Sequence, residues 1–175
     1  GSISTAEACQ LTAAATQAVA DAILSVAPYY NKPPQTGLLA HFRAVAESTD
    51  LPVILYNVPG RTVTDIADDT TLELAEVSNI VGIKDATGNL ERAQYLLKQR
   101  PKGFAVYSGD DPTAMELCLL GGDGDISVTA NGAPQLMAQM IEYAMAGKRA
   151  EAQALNETLL GLHSTLLMQP TPIPS

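Results

Sequence analysis

Five short apolar runs, at residues 22–27, 52–57, 80–84, 104–108 and 125–129, punctuate the chain. Each leads through turn residues into an amphipathic stretch of helical period. The runs are nearly continuous in apolar character rather than alternating, which predicts parallel strands buried on both faces. Strand–helix repetition with short connections is the α/β pattern.

Two α/β architectures compete, an open doubly wound sheet and a closed (β/α)8 barrel. No glycine-rich phosphate loop follows the first strand. Gly121-Gly122-Asp123-Gly124 precedes a strand, so it reads as a tight turn. The polar residues able to do chemistry sit at the carboxyl ends of several different strands, which favours the barrel.

Helix starts are well marked. Ser4 and Glu7 have capping-box spacing, Asn89 stands ready to cap residues 90–99, and Gly132-Ala133-Pro134 opens another helix. Asp111 is expected to cap a helix whose first position holds Pro112. A last helix is expected over residues 150–168, followed by a proline-rich exit at 169–175. The expected organisation is a partial barrel over residues 1–148 and the start of a C-terminal helical region over 149–175.

The charge balance excludes some partners. A formal net charge of -9 repels phosphate backbones, so nucleic acid is not an expected ligand. The apolar stretch at 11–27 is broken by Thr12, Thr16, Gln17 and Asp21 and is not a membrane span. With no basic segment ahead of it to make a secretory signal, a cytoplasmic location is the expectation. Cys9 and Cys118 both lie in apolar helical patterns and read as reduced, buried thiols.

Lys84 ends a strand otherwise made of Ile, Val and Gly. Burial disfavours an ammonium ion, so a lysine held there would offer a free amine at neutral pH, as imine formation with a ketone requires. The competing reading is a lysine that extends its stem and carries its charge out to water. Tyr56 lies one βα unit earlier, also at a strand end, where a phenol could pass protons to an imine or simply fill a core. Arg61, in the Val-Pro-Gly-Arg-Thr segment, could clamp a carboxylate or make a surface ion pair. Tyr29 and Tyr30, adjacent in a proline-rich loop, cannot both face one barrel mouth, and one of them could face another subunit. Asp110 and Asp111 have no third carboxylate or histidine at ligand spacing, so no metal is called for, and His41 and His163 read as structural.

In order and spacing, five segments closely resemble the dihydrodipicolinate synthase family of pyruvate-dependent class I aldolases. They are Pro28-Tyr29-Tyr30-Asn31-Lys32-Pro33, Tyr56-Asn57-Val58-Pro59-Gly60-Arg61-Thr62, Gly82-Ile83-Lys84-Asp85-Ala86-Thr87-Gly88, Ser108-Gly109-Asp110-Asp111 and Ile126-Ser127-Val128-Thr129-Ala130-Asn131. The resemblance implies a TIM barrel and condensation of pyruvate with L-aspartate 4-semialdehyde. It implies no cofactor beyond a covalent Schiff base on Lys84. Tyr56 would carry protons, and Tyr30 would complete a proton relay across a dimer interface. Arg61 would bind the semialdehyde carboxylate, and Gly109 and Ile126 would contact pyruvate. The family is commonly a homotetramer built as a dimer of dimers. Alternatives on the same barrel are N-acetylneuraminate lyase or a keto-deoxy sugar-acid aldolase; a third is a non-catalytic truncated barrel. Arg61 argues for the synthase.

The chain departs from that family pattern in two ways. The family's Gly-Thr-Thr-Gly-Glu segment has no counterpart, so the chain is expected to be part of a longer enzyme, holding about five of the eight strands. Lysine-inhibited members bind lysine through an asparagine, a glutamate and the first tyrosine of the pair. Glu7 and Tyr29 match the last two, but Ile3 stands at the asparagine position and cannot bond the ligand. Feedback is expected to be weak or absent, and strong inhibition by millimolar lysine in an enzyme retaining Ile3 would contradict this.

Overall fold

A computed structural model of the protein describes residues 1–166 and 168. Five strands form one sheet: β1 (Ile23–Val26), β2 (Val53–Asn57), β3 (Ile80–Asp85), β4 (Ala105–Ser108) and β5 (Gly124–Asp125). Neighbouring strands are all parallel, and spatial order follows chain order, β1-β2-β3-β4-β5. A doubly wound sheet would reverse direction at a switch point. This one does not, which is the order of a barrel wall.

The helices α1 (Thr5–Gln17), α2 (Gln35–Glu47), α4 (Asp68–Leu74), α5 (Leu90–Gln99) and α6 (Asp111–Leu119) alternate with the strands; α3 (Pro59–Thr62) is a single turn. Two further helices, α7 (Pro134–Met145) and α8 (Arg149–Leu166), close the series. The expected proline-rich exit lies outside the described residues.

Capping follows the sequence in two places. Ser4 Oγ accepts from the Glu7 amide at 3.4 Å, and Asn89 Oδ1 accepts from the Arg92 amide at 3.0 Å. The capping box is only half made, because the Glu7 carboxylate takes a hydrogen bond from the Ser2 hydroxyl.

The core lies between sheet and helices. Leu38, Phe42 and Val45 of α2 pack with Val53, Leu55, Ile83, Leu96 and Val106, all fully buried. Each such side chain contributes about 1.5–3 kcal/mol relative to exposure. A second cluster joins Met115 and Cys118 of α6, Met137 and Met140 of α7, and Leu159 of α8. The Cys118 thiol is pushed up to about 12 by this burial, with Asp125 nearby adding to it. Both cysteines are free, though Cys9 is only half-buried.

Two expectations need correction. Burial on both faces of the strands does not hold: β2 alternates Val53, Leu55 and Asn57 buried with Ile54 and Tyr56 half-buried. Only the helix side is sealed, because the other side walls an open cavity. The expected strand at 125–129 also shrinks to Gly124–Asp125, and a 3-10 turn follows at Thr129–Asn131. The cause is Asp111. Its Oδ2 accepts from the amides of Val128 at 3.1 Å and Thr129 at 2.7 Å, drawing them away from a ladder. Asp111 is therefore not the helix cap; Asp110 holds that position and Asp111 is the first helical residue.

Candidate active site

Two rows of side chains cross the carboxyl ends of the strands. The register places Val26, Tyr56, Lys84, Tyr107 and Gly124 side by side on the cavity face. One residue further on, Asn57, Asp85, Ser108 and Asp125 form the next row on the helix face. Alternation along a strand assigns the two rows to opposite sides.

The helix-side row pins the loops. Asn57, fully buried, donates to Asp65 Oδ1 at 2.7 Å and accepts from the Ile66 amide at 3.0 Å. Asp85 accepts from the Thr87 hydroxyl at 2.9 Å and lies 3.9 Å from Arg92, which also pairs with Asp65 and Asp68 at 2.8 Å. Ser108 Oγ accepts from the Asp110 amide at 3.1 Å. The backbone on either side of Lys84 is thereby fixed from behind.

The cavity-side row holds the groups able to do chemistry. Lys84 Nζ sits 4.3 Å from the centroid of the Tyr56 ring, over its face. Burial pushes the Lys84 amine below its ordinary value; Asp125 and Asp111 oppose this and Arg61 reinforces it. The ring face also favours the charged form, typically by about 0.5–2 kcal/mol. Desolvation wins. Burial raises the Tyr56 phenol, with Arg61 partly offsetting it, so the hydroxyl stays protonated and can donate.

Both groups line a cavity of about 650 Å³, with Tyr29, Arg61, Gly109 and Val128 among the other walls. Gly109 is required by close approach. A Cβ there would lie 2.7 Å from Lys84 Cε and 2.9 Å from Ala86 Cβ.

The remaining candidates separate. Tyr29 lines the cavity, whereas Tyr30 is 84% exposed at a backbone φ of 71°. That left-handed conformation costs about 1–2 kcal/mol in a non-glycine residue and is held here by a bond from the Tyr30 amide to the Thr62 carbonyl at 3.1 Å. Glu7 lies on α1, bonded to Ser2, and Ile3 is 43% exposed. The amides of Gly109 and Ile126 are spent on the Asp85 and Ser108 carbonyls at 2.8 and 2.9 Å, leaving each with only a carbonyl to offer. His41 and His163 tie elements together through Thr5 and Thr129.

All 175 residues match the dihydrodipicolinate synthetase family. The chain belongs to that family. It is 58% identical over 174 residues to 4-hydroxy-tetrahydrodipicolinate synthase of Nitrosomonas eutropha, covering 99% of this chain and 60% of that relative. It is 60% identical to the synthase of Nitrosospira multiformis, covering 58% of it. Among solved structures, the dihydrodipicolinate synthase of Acinetobacter baumannii, described as chloride-inhibited and complexed with pyruvate, superposes with a TM-score of 0.97 at 53% identity, covering 99% of this chain and 60% of that one. The Aquifex aeolicus enzyme gives 0.97 at 40% identity with the same coverage. The chain thus spans about three-fifths of the length of the relatives it matches, and its five βα units are those of their (β/α)8 barrel.

The sequence did not mark Val128 or Asp125 as part of the site. Val128 lines the cavity only because the fifth strand ends early. Asp125 had one visible signal, a carboxylate opening an otherwise apolar run. Among the described residues no group of three histidine, cysteine or carboxylate side chains could hold a metal ion, and no helix is long and apolar enough to cross a membrane.

Proposed function

We propose that Lys84 is a Schiff-base lysine for pyruvate. The enzyme this chain represents then condenses pyruvate with L-aspartate 4-semialdehyde to give 4-hydroxy-tetrahydrodipicolinate. The observation that carries the reading is the half-dry Lys84 amine standing over the Tyr56 ring at the cavity wall. The relatives' names, and the pyruvate in the Acinetobacter enzyme, agree with it.

The free amine of Lys84 attacks the keto carbon of pyruvate, and loss of water from the carbinolamine leaves a protonated imine. Tyr56 is the group placed to supply the proton that lets the hydroxyl depart and to pass protons afterwards. Loss of a methyl proton gives an enamine, whose carbon attacks the aldehyde of the second substrate. That substrate's amino group then attacks the imine carbon, closes the ring and returns Lys84 as a free amine. One water is released overall.

Arg61 is assigned the semialdehyde carboxylate, which its planar fork can bind through two bonds. The carbonyls of Gly109 and Ile126 are assigned to the donor hydrogens of the carbinolamine and imine, since their amides are occupied. Tyr30, exposed on a strained backbone, is assigned to a relay completed in a second subunit, within a homo-oligomer that works in the cytoplasm. Tyr29 and Glu7, lacking an asparagine at position 3, are assigned to a degenerate lysine site.

Incubation with pyruvate and borohydride tests the central step. The intact mass should rise by one reduced pyruvyl group, mapped to Lys84. An adduct on another lysine, or none, overturns the assignment.

A further inference from the structure

On the helix side of β5, the Asp111 and Asp125 carboxyls lie within hydrogen-bonding reach of each other. Asp111 Oδ2 accepts from the Val128 amide at 3.1 Å, and from the Thr129 amide and hydroxyl at 2.7 Å each. Asp111 Oδ1 and both oxygens of Asp125 are buried acceptors that find no donor among the described residues when both groups are ionised. Two ionised carboxylates cannot bond one another, and leaving buried acceptors unmet is costly. A single proton removes the repulsion and meets two of the three acceptors, since a protonated Asp125 can donate to Asp111, and it leaves the remaining Asp125 oxygen on a neutral group.

We propose that Asp125 is a positioning residue for Lys84: it and Asp111 form a buried carboxyl–carboxylate pair that shares one proton, so that one negative charge, not two, stands behind the lysine.

The surroundings decide which partner keeps the proton. Burial raises Asp111, but bonds from Ser127 and Thr129 outweigh it and hold this carboxyl below its ordinary value. Burial raises Asp125 too, the Asp111 charge adds to that, and its carboxyl is pushed up to about 8. The charged and titratable groups around Asp125 are Lys84 from β3, Asp110 at the cap of α6, Asp111 and Cys118 from α6, Asp123 just before β5, and Glu142 of α7 across a small cavity. His163 of α8 reaches Asp111 through the Thr129 hydroxyl at 2.8 Å. Among these Lys84 is the cation that favours ionised Asp125.

The coupling has a definite sign. While Asp125 holds its proton, Lys84 faces one negative charge and releases its own proton at lower pH. Once Asp125 ionises, the second charge holds the ammonium form and postpones release to higher pH. An Asp125→Asn protein cannot add that charge and should free the amine earlier.

The experiment is an NMR titration of the full chain carrying isotope-labelled aspartate and lysine, with Lys84 assigned by its loss in Lys84→Met. One aspartate carboxyl, missing from Asp125→Asn, should titrate near pH 8, while Asp111 stays ionised. The Lys84 midpoint should fall by roughly half a pH unit or more in Asp125→Asn. If that variant does not fold, the unmodified chain still decides, because its Lys84 signal should also respond as Asp125 ionises. An Asp125 titrating in the ordinary carboxylate range, or a Lys84 signal indifferent to Asp125, overturns the proposal. The link to catalysis rests on Lys84 being the reacting amine. The titration needs no pyruvate, so failure to trap an adduct sinks that reading alone.

Discussion

A Lys84→Arg protein is expected to gain no mass on borohydride reduction with pyruvate, and the complete enzyme to lose activity by on the order of 10³-fold or more. Arginine keeps the positive charge and much of the stem, so the change isolates nucleophilicity. A guanidinium stays protonated in proteins and has no lone pair to attack a carbonyl. The other four lysines, Lys32, Lys98, Lys102 and Lys148, are exposed and do not line the cavity. Lys148 also lies over a tyrosine ring, that of Tyr143 at 5.6 Å, but on the exposed surface away from the cavity. Intact mass read beside a thermal melt checks the result. An adduct that persists in a folded Lys84→Arg protein would mean that the reacting amine lies elsewhere, and the site as drawn would be wrong.

Much of this site was legible because barrel strands expose their chemistry at one end. An apolar run ending in Lys84, and an earlier one ending in Tyr56-Asn57, fix which residues reach the mouth once the strands are parallel and in order. The register then makes Tyr56 and Lys84 neighbours without further information. What stayed hidden depends on contacts between segments distant in the chain. Asp111 has the sequence context of a cap, and nothing local reveals that its carboxylate turns to residues 128–129 and ends the fifth strand. The row of Asn57, Asp85, Ser108 and Asp125 was equally hidden, since its members end four separate strands and meet only through the register. Apolar periodicity reports the sealed face; a polar row behind it leaves no period of its own.

Gly109→Ala should be nearly as damaging to imine formation as many direct site changes, although it removes no functional group. Its amide is held by the Asp85 carbonyl at 2.8 Å, so the backbone cannot easily retreat. Nor does Gly109 have the positive φ that would make alanine strained in itself. The effect is steric. The new methyl would lie 2.7 Å from Lys84 Cε, 3.0 Å from Lys84 Cγ and 2.9 Å from Ala86 Cβ. The lysine end can swing aside, but Ala86 Cβ is fixed to its backbone, so the strain passes to the lysine stem and the β4 loop together. Overpacking of this kind costs about 1–3 kcal/mol. A displacement of roughly 1 Å at a reacting group costs about 10²-fold in rate. Gly161→Ala is the matched control. It lies in α8 with nothing within 4 Å of its added Cβ, and helix propensity favours alanine there by roughly 0.5–1 kcal/mol. The rate of pyruvate trapping should therefore fall about a hundredfold in Gly109→Ala and stay unchanged in Gly161→Ala. Equal trapping rates in the two proteins would show that the lysine stem does not need the space Gly109 leaves.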